Sequence, residues 1–288
     1  MESHSSRRLT GTLVTGVLAV AVGLGIAKAA GPPGQSGVFA LLGGTPKIAS
    51  KLWAEPGAAS SVQLKIQQFS LSGGAPILRY DVDMQKLIHL IIVRDDFATF
   101  AHVHPAFNGS TGTFSETFTP SPNHRYYLYT DTTPRGIGQQ VFRFTLESAG
   151  PLATPRPTPL PPFLPSVVAG PYRVTLDRTQ LAANQAQTLA LTVFQGRRLA
   201  ADLRTYLGAA AHAVFINSST LVYVHVHPMV LGAPDVDTAG SMESMSRAAG
   251  PRMQMNLPPL PAGTYRLWVQ FRGREGEVFI APFTLLAQ

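Results

Sequence analysis

Polar and apolar residues alternate along Ser61 to Gln67 (S-V-Q-L-K-I-Q), the period-two pattern of a strand with one buried face. Short strand-forming runs follow at Leu78 to Val82, Thr113 to Phe118, Arg125 to Tyr129 and Val141 to Leu146, with turn residues between them and no sustained helical period. The second half repeats this order. Thr188 to Val193 (T-L-A-L-T-V) matches Val62 to Gln67 in kind and position, and Phe114-to-Leu146 aligns without gaps with Met253-to-Leu285 at an offset of 139. Within that alignment Tyr126-Tyr127-Leu128-Tyr129 matches Tyr265-Arg266-Leu267-Trp268, and Phe144-Thr145-Leu146 matches Phe283-Thr284-Leu285. Units of roughly 20–50 residues would mean a solenoid; a period above 100 means tandem domains. The pattern predicts an all-β chain of two tandem immunoglobulin-like β-sandwich domains, each with about seven short strands.

Between the copies, residues 150–171 hold eight prolines, including Pro155-Arg156-Pro157-Thr158-Pro159. Such a stretch favours extended polyproline geometry and marks a linker. The expected layout is 1–29 as a signal peptide or N-terminal anchor, 30–50 as a spacer, 51–149 as the first sandwich, 150–171 as linker and 172–288 as the second sandwich. Arg7 and Arg8 precede the apolar run Leu13 to Ala27, and Ala27-Lys28-Ala29 offers a small-x-small cleavage site. Thr10 weakens a twin-arginine reading. The 19 residues from Leu9 to Ala27 have the length of an uncleaved anchor, but Gly11, Gly16, Gly23 and Gly25 make a poor one, so cleavage and an extracytoplasmic location are expected.

A second pattern recurs in both copies. His89-Leu90-Ile91-Ile92-Val93 leads to Phe100-Ala101-His102-Val103-His104-Pro105, and His212-Ala213-Val214-Phe215-Ile216 leads to Tyr223-Val224-His225-Val226-His227-Pro228. The first histidine lies 13 residues before the second, and the third follows two later, at an offset of 123 between copies. The two offsets differ by 16, which places an insertion around Asp235 to Ala249. A hairpin turn centred between Asp95 and Asp96, or between Ser218 and Ser219, would set His89 opposite His102 and His212 opposite His225. Opposed Cβ atoms are roughly 4.5–5.5 Å apart. His104 and His227 share the face of their i−2 neighbours. Two three-histidine metal sites are therefore expected, at His89, His102 and His104 and at His212, His225 and His227. Pro105 and Pro228 end the strands, which suggests a solvent-accessible rim.

Composition narrows the chemistry. No cysteine is present, which removes disulfides, thiolate ligands and a cysteine nucleophile. Residues 1–29 carry three basic and one acidic residue, so their removal lowers the net charge from +7 to +5. The remaining basic residues are scattered, so no nucleic-acid partner is expected. Imidazoles suit copper and zinc, and Cu(II) outcompetes other first-row divalent ions at nitrogen sites. His124 sits in a turn, and its counterpart in the second copy is Gly263. Met229, Met242, Met245, Met253 and Met255 gather near the second motif, where thioether ligation competes with plain core packing.

The segment from His89 through His102-Val103-His104-Pro105 resembles a group of bacterial exported proteins with sequences of the type H-L-x-x-V-x-x-D-x-x-x-F-x-H-x-H-P. Leu203 to Gly208, His212 and His225-Val226-His227-Pro228 resemble the same group. Pro261-Ala262-Gly263-Thr264-Tyr265-Arg266-Leu267-Trp268 is similar to the closing strands of YtkA-like and FixH-like sandwich domains. The resemblance covers residues 80–146 and 203–285. It implies an extracytoplasmic role in copper handling, and it carries over only to the six histidines.

The expected function is copper sequestration or delivery without enzymatic activity, with zinc as the alternative metal. Partners would be the metal ion and another envelope protein, and membrane contact would run only through residues 9–27 if uncleaved. A non-metal envelope adhesion or assembly module, with structural histidines, is the alternative. A cupin-like metalloenzyme fits less well. Cupins expect a glutamate three to five residues after H-x-H, and none follows here, although Glu116 could supply a base in the first copy.

Overall fold

In a computed structural model of the chain, the described residues are 25–27, 38–40, 46–150, 160–231 and 249–288. Among them every regular element is a strand. Two short strands, β1 (Gly25–Ala27) and β2 (Val38–Ala40), precede the sandwiches. The first domain comprises β3 (Ile48–Pro56), β4 (Val62–Ser70), β5 (Tyr80–Asp81), β6 (Ile88–Arg94), β7 (Phe100–Val103), β8 (Ala106–Asn108), β9 (Thr113–Phe118), β10 (Arg125–Pro134) and β11 (Gln140–Glu147). The second comprises β12 (Ser166–Ala169), β13 (Tyr172–Leu176), β14 (Gln180–Leu181), β15 (Gln187–Gln195), β16 (Arg198–Leu199), β17 (His212–Asn217), β18 (Tyr223–Val226), β19 (Met229–Val230), β20 (Arg252–Leu257), β21 (Gly263–Arg272) and β22 (Val278–Ala287). The N-terminal segment expected to be a signal or anchor lies largely outside the described residues.

The pairing order is the same in both domains. One sheet runs β3-β4-β9-β8 in the first and β13-β15-β20-β19 in the second. The other runs β11-β10-β6-β7 and β22-β21-β17-β18. These are the two sheets of an immunoglobulin-like sandwich. Each domain also has a tyrosine corner, because Ser121 N donates to Tyr126 Oη at 2.8 Å and Tyr265 Oη donates to the Pro261 carbonyl at 2.8 Å. The domain edges differ from the sequence expectation. Ile48 already lies in the first core, inside the expected spacer. Ser166–Ala169, inside the expected linker, pairs with Tyr172–Thr175 as an edge strand of the second domain. That stretch is proline-free, so it can donate to a ladder.

Strand alternation sends two sets of side chains from β6 to opposite sides. Leu90 and Ile92 enter the first core with Leu64, Ile66, Phe114 and Leu128. Ile91 and Val93 point outward, yet they are fully buried, because that face packs against the second domain. Phe97, Tyr129 and Val141 join them there, against Val214, Ile216, Tyr223 and Trp268. In the second domain Ala213 and Phe215 enter the core while Val214 and Ile216 face the first domain.

The interface is self-complementary about a pseudo-two-fold axis, as an isologous dimer contact would be. Phe100 stacks on Trp268 with ring centroids 4.8 Å apart, and Tyr223 stacks on Tyr129 at 4.8 Å. Phe100 and Tyr223 are equivalent by the 123 offset, as Tyr129 and Trp268 are by the 139 offset. Each aromatic pair contributes about 0.5–1.5 kcal/mol beyond its buried area. Tyr129 Oη also donates to the Leu221 carbonyl at 3.1 Å.

Trp268 is 2% exposed and stacks against Phe97 and Phe100 on this face. Trp268→Ala is expected to lower unfolding free energy by about 3–5 kcal/mol, as for other buried tryptophans. Urea unfolding followed by circular dichroism measures it, and a loss below about 1 kcal/mol would show that the two domains do not depend on this face.

Candidate metal centre

The outward face that carries the aromatic pairs also carries the histidines. His89 precedes Ile91 and Val93 on the outer face of β6, His102 follows Phe100 on β7, and His104 continues that face. His212, His225 and His227 occupy the equivalent places around β17 and β18. The same-face expectation therefore holds. The expected cross-strand partners do not.

Leu90 pairs with Val103 and Ile91 with His102, so the next step along the ladder sets His89 beside His104. Likewise Ala213 pairs with Val226 and Val214 with His225, which sets His212 beside His227. Both hairpins close with four-residue loops, shown by Arg94 N donating to the Thr99 carbonyl and Asn217 N to the Val222 carbonyl. The turn centre falls one residue later than Asp95-Asp96 and Ser218-Ser219 imply. Phe97 and Leu221 take left-handed φ values of 57° and 59° that their side chains disfavour. Burial of Phe97 at the domain interface, 6.4 Å from the Trp268 ring, offsets that strain. The shift is two residues, so no side chain changes face.

The rim expectation is overturned. His89, His102, His212, His225 and His227 are at most 8% exposed, and His104 alone is half-buried. The second domain covers the hairpin face that would otherwise meet solvent, and all six imidazoles meet in one cluster. His89 and His212 rings lie 6.1 Å apart, His102 and His225 5.4 Å, and the crossed pairs His89–His225 and His102–His212 both 5.4 Å. The axis relating the domains thus passes among the histidines.

Two tight turns fix the first histidine of each copy. Residues 83–86 and 206–209 close on themselves by reciprocal backbone hydrogen bonds. Their central residues, Met84 and Gln85 or Leu207 and Gly208, all have positive φ, the type I′ arrangement. Met84 and Gln85 adopt it without glycine, a local strain of the kind found at functional sites. Each turn aims a carbonyl at an imidazole: Asp83 O lies 3.2 Å from His89 Nε2, and Tyr206 O 3.0 Å from His212 Nε2. A carbonyl only accepts, so both Nε2 atoms carry the proton and both Nδ1 atoms present a lone pair.

The second histidines are held from across the interface. His102 Nδ1 donates to Gln270 Oε1 of the second domain at 2.7 Å, which leaves its Nε2 with a lone pair. Reciprocally, His225 Nδ1 lies 3.7 Å from Asp131 Oδ2 of the first domain. Gln139 Nε2 donates to the other Asp131 oxygen. Asp131 pairs with His89 across β10 and β6, and Gln270 with His212 across β21 and β17. Sequence reasoning missed Asp131 and Gln270, although the 139 offset aligns them and Gln270 interrupts the apolar run Leu267 to Phe271.

At one pair, His89 Nδ1 and His102 Nε2, lone pairs therefore face one another. His89 Nδ1 is 2.9 Å from His102 Nε2 and 3.3 Å from His104 Nε2, and His212 Nδ1 is 3.2 Å from His225 Nε2. Two nitrogens bound to one ion at about 2.0–2.1 Å lie about 2.9 Å apart at a right angle and about 3.4 Å apart at the tetrahedral angle. The observed separations span that interval. Among the described residues, two groups have ligand nitrogens all within 4.8 Å of one another: His89, His102 and His104, and a mixed group of His102, His212 and His225. His227 packs beside the second group, 4.6 Å from the His212 ring and 4.7 Å from the His225 ring.

Burial holds the imidazoles neutral, the form that ligates metal. It depresses His89 to about 4, with Lys86 adding to the effect, and His104 and His227 to about 3. Burial and the neighbouring imidazoles hold His102, His212 and His225 well below the usual histidine range. Burial also raises the Asp83 carboxyl to about 6; its Oδ2 lies 3.7 Å from His89 Nε2.

The other candidates lie elsewhere. His124 pairs with Asp95 through Nδ1 at 3.1 Å, in its turn. Met253 and Met255 are fully buried in the second core, and Met229 is exposed. Met242 and Met245 lie outside the described residues. Glu116 belongs to β9, in the sheet that does not carry the histidines.

A family model described as "Domain of unknown function (DUF8832)" matches residues 46–150 and 166–288. No curated protein matches the chain. Among solved structures, the crystal structure of chicken CNTN1 FN1-FN3 domains is similar at 10% identity, over 83% of this chain and 66% of that one, with a TM-score of 0.20. At that score the likeness carries no argument.

The depressed histidines predict how metal-free protein responds to acid. The unfolded chain takes protons near pH 6.5, whereas His89 in the fold takes one only near 4, so the unfolded state binds more protons between those values. Stability is present above about pH 6.5 and is lost as pH falls toward 4. Asp83 acts in the opposite sense between about 4 and 6, one group against six. Thermal midpoints of chelator-treated protein at pH 7.5 and pH 4.5 measure this, with a clear fall expected; equal midpoints would contradict neutral burial of the cluster.

Proposed function

The chain belongs to the DUF8832 family, and we propose that it uses its paired domains to bind a metal ion at the six-histidine cluster. Copper is the metal of choice and zinc its competitor, since imidazole donors suit both and Cu(II) stands above Zn(II) in affinity. The role is sequestration or delivery outside the cytoplasm. The basic and apolar N-terminus and the resemblance to exported copper-handling sandwich domains support that location. The absence of cysteine fits a centre built from imidazoles alone.

One observation supports metal most directly. Backbone carbonyls at Asp83 and Tyr206 fix the protons of His89 and His212 on Nε2, so Nδ1 lone pairs point at the Nε2 atoms of His102 and His225. Opposed lone pairs at 2.9 Å repel, and a shared cation relieves that. The surrounding carbonyl, amide and carboxylate groups are the kind that orient metal-bound imidazoles and raise their basicity.

A second reading, a structural cluster in an envelope assembly module, draws on the burial of the histidines at the domain interface. There the Gln270 amide would be turned about, His102 would carry its proton on Nε2, and that proton would lie on the line to His89 Nδ1. Metal content separates the two. Purified chain is loaded with Cu(II) or Zn(II), freed of excess and assayed by elemental analysis. At least one ion per chain at micromolar metal is expected; less than one would leave the structural reading standing. The double variant His102→Ala/His104→Ala is expected to lose the retained metal.

A further inference from the structure

We propose, resting on the reading that this cluster binds metal, that the centre holds one ion per chain, ligated from both domains, and that the ion locks the sandwiches face to face. The repeated motif alone implies two independent sites. The geometry argues otherwise through His102, which belongs to both groups of converging nitrogens. Its Nδ1 is committed to Gln270, so Nε2 is its one lone pair, and one lone pair serves one ion.

No wall separates the two sets. The cross-domain ring distances of 5.4 Å for His102–His212 and His102–His225 match the within-domain 5.4 Å of His212–His225 and 5.2 Å of His89–His102. Charge points the same way. Six neutral imidazoles supply no negative charge, while Asp83 and Asp131 each place a carboxylate oxygen 3.7 Å from a cluster nitrogen. These two charges balance one divalent ion. A second ion would leave two positive charges uncompensated in a buried site, where desolvation makes such charge costly. Lys86, near His89 and His104, adds positive charge on the first-domain side.

The pseudo-symmetry breaks in the charged groups around the cluster, since Asp83 and Lys86 align with Tyr206 and Ala209, and Asp131 aligns with Gln270. Gln270, facing His102, is neutral, whereas Asp131, facing His225, is a carboxylate. A carboxylate on the distal nitrogen strengthens an imidazole donor. Asp83 does the same for His89, but Lys86 adds positive charge beside His89 and His104 where the second domain has Ala209, so the ion sits with the wholly buried group of His102, His212 and His225. Ligands from β7 of one domain and from β17 and β18 of the other then close around one atom.

The test uses the whole chain loaded with Cu(II) and cleared of excess. One ion per chain is expected, with the electron paramagnetic resonance spectrum of an isolated Cu(II). His102→Ala and His225→Ala should each abolish tight binding, a loss of at least tenfold in affinity, while His124→Ala keeps the ion. Two ions in the unaltered chain, with each variant retaining one, would overturn sharing but leave metal binding intact. No ion in the unaltered chain would sink both. Hydrogen exchange on the unaltered chain needs no variant to fold: metal should slow exchange in β6–β7 and in β17–β18 together, and protection confined to one hairpin would overturn the lock.

Discussion

Strands β6 and β17 are buried on both faces, and that double burial governs the rest of the molecule. A sandwich strand normally turns one face to its own core and the other to water. Here the outer faces of equivalent sheets meet, so Ile91 and Val93 pack against Val214, Ile216 and Trp268 where solvent would otherwise be. Apolar contact and two symmetric aromatic stacks hold the sheets together. The histidines lie on the continuation of the same faces, so whatever brings the sheets together also gathers the imidazoles.

Withdrawal from water then sets the chemistry. Six imidazoles near one axis cannot all be protonated, and burial keeps them neutral. Neutral imidazoles still need their N–H groups satisfied, and the fold supplies acceptors from two sources. Type I′ turns provide carbonyls within each domain, and Gln270 and Asp131 reach across from the opposite domain. The two carbonyls and Gln270 fix which nitrogen of His89, His212 and His102 is available. The cluster is consequently a set of directed lone pairs rather than a collection of nearby rings.

Duplication explains how such a centre can arise from a short motif. One copy places three imidazoles on one sheet face and one polar residue on the neighbouring strand. A second copy, turned about a two-fold axis, supplies the acceptor that the first copy's histidine requires. The pairs His102–Gln270 and His225–Asp131 occupy equivalent places in the two directions, a 2.7 Å hydrogen bond in one and a 3.7 Å approach of carboxylate to imidazole in the other. Divergence at that pair, amide against carboxylate, and at Asp83 and Lys86, which align with Tyr206 and Ala209, makes the two halves chemically distinct.

The repeat, the strand class and the shared face of His102 and His104 were legible in the chain, because side-chain alternation is local and survives any change of partner. Legible too, though only in hindsight, were the runs Leu90-Ile91-Ile92-Val93 and Ala213-Val214-Phe215-Ile216, apolar at every position as two-sided burial requires. The hairpin register was not, because Phe97 and Leu221 take backbone conformations that their side chains disfavour locally, and for Phe97 interface packing offsets the cost. Nor could spacing along one strand tell a solvent-facing rim from a buried axis. Spacing determines which side chains share a face; only the docking of one domain on the other decides what that face meets, and so turned two expected triads into one cluster.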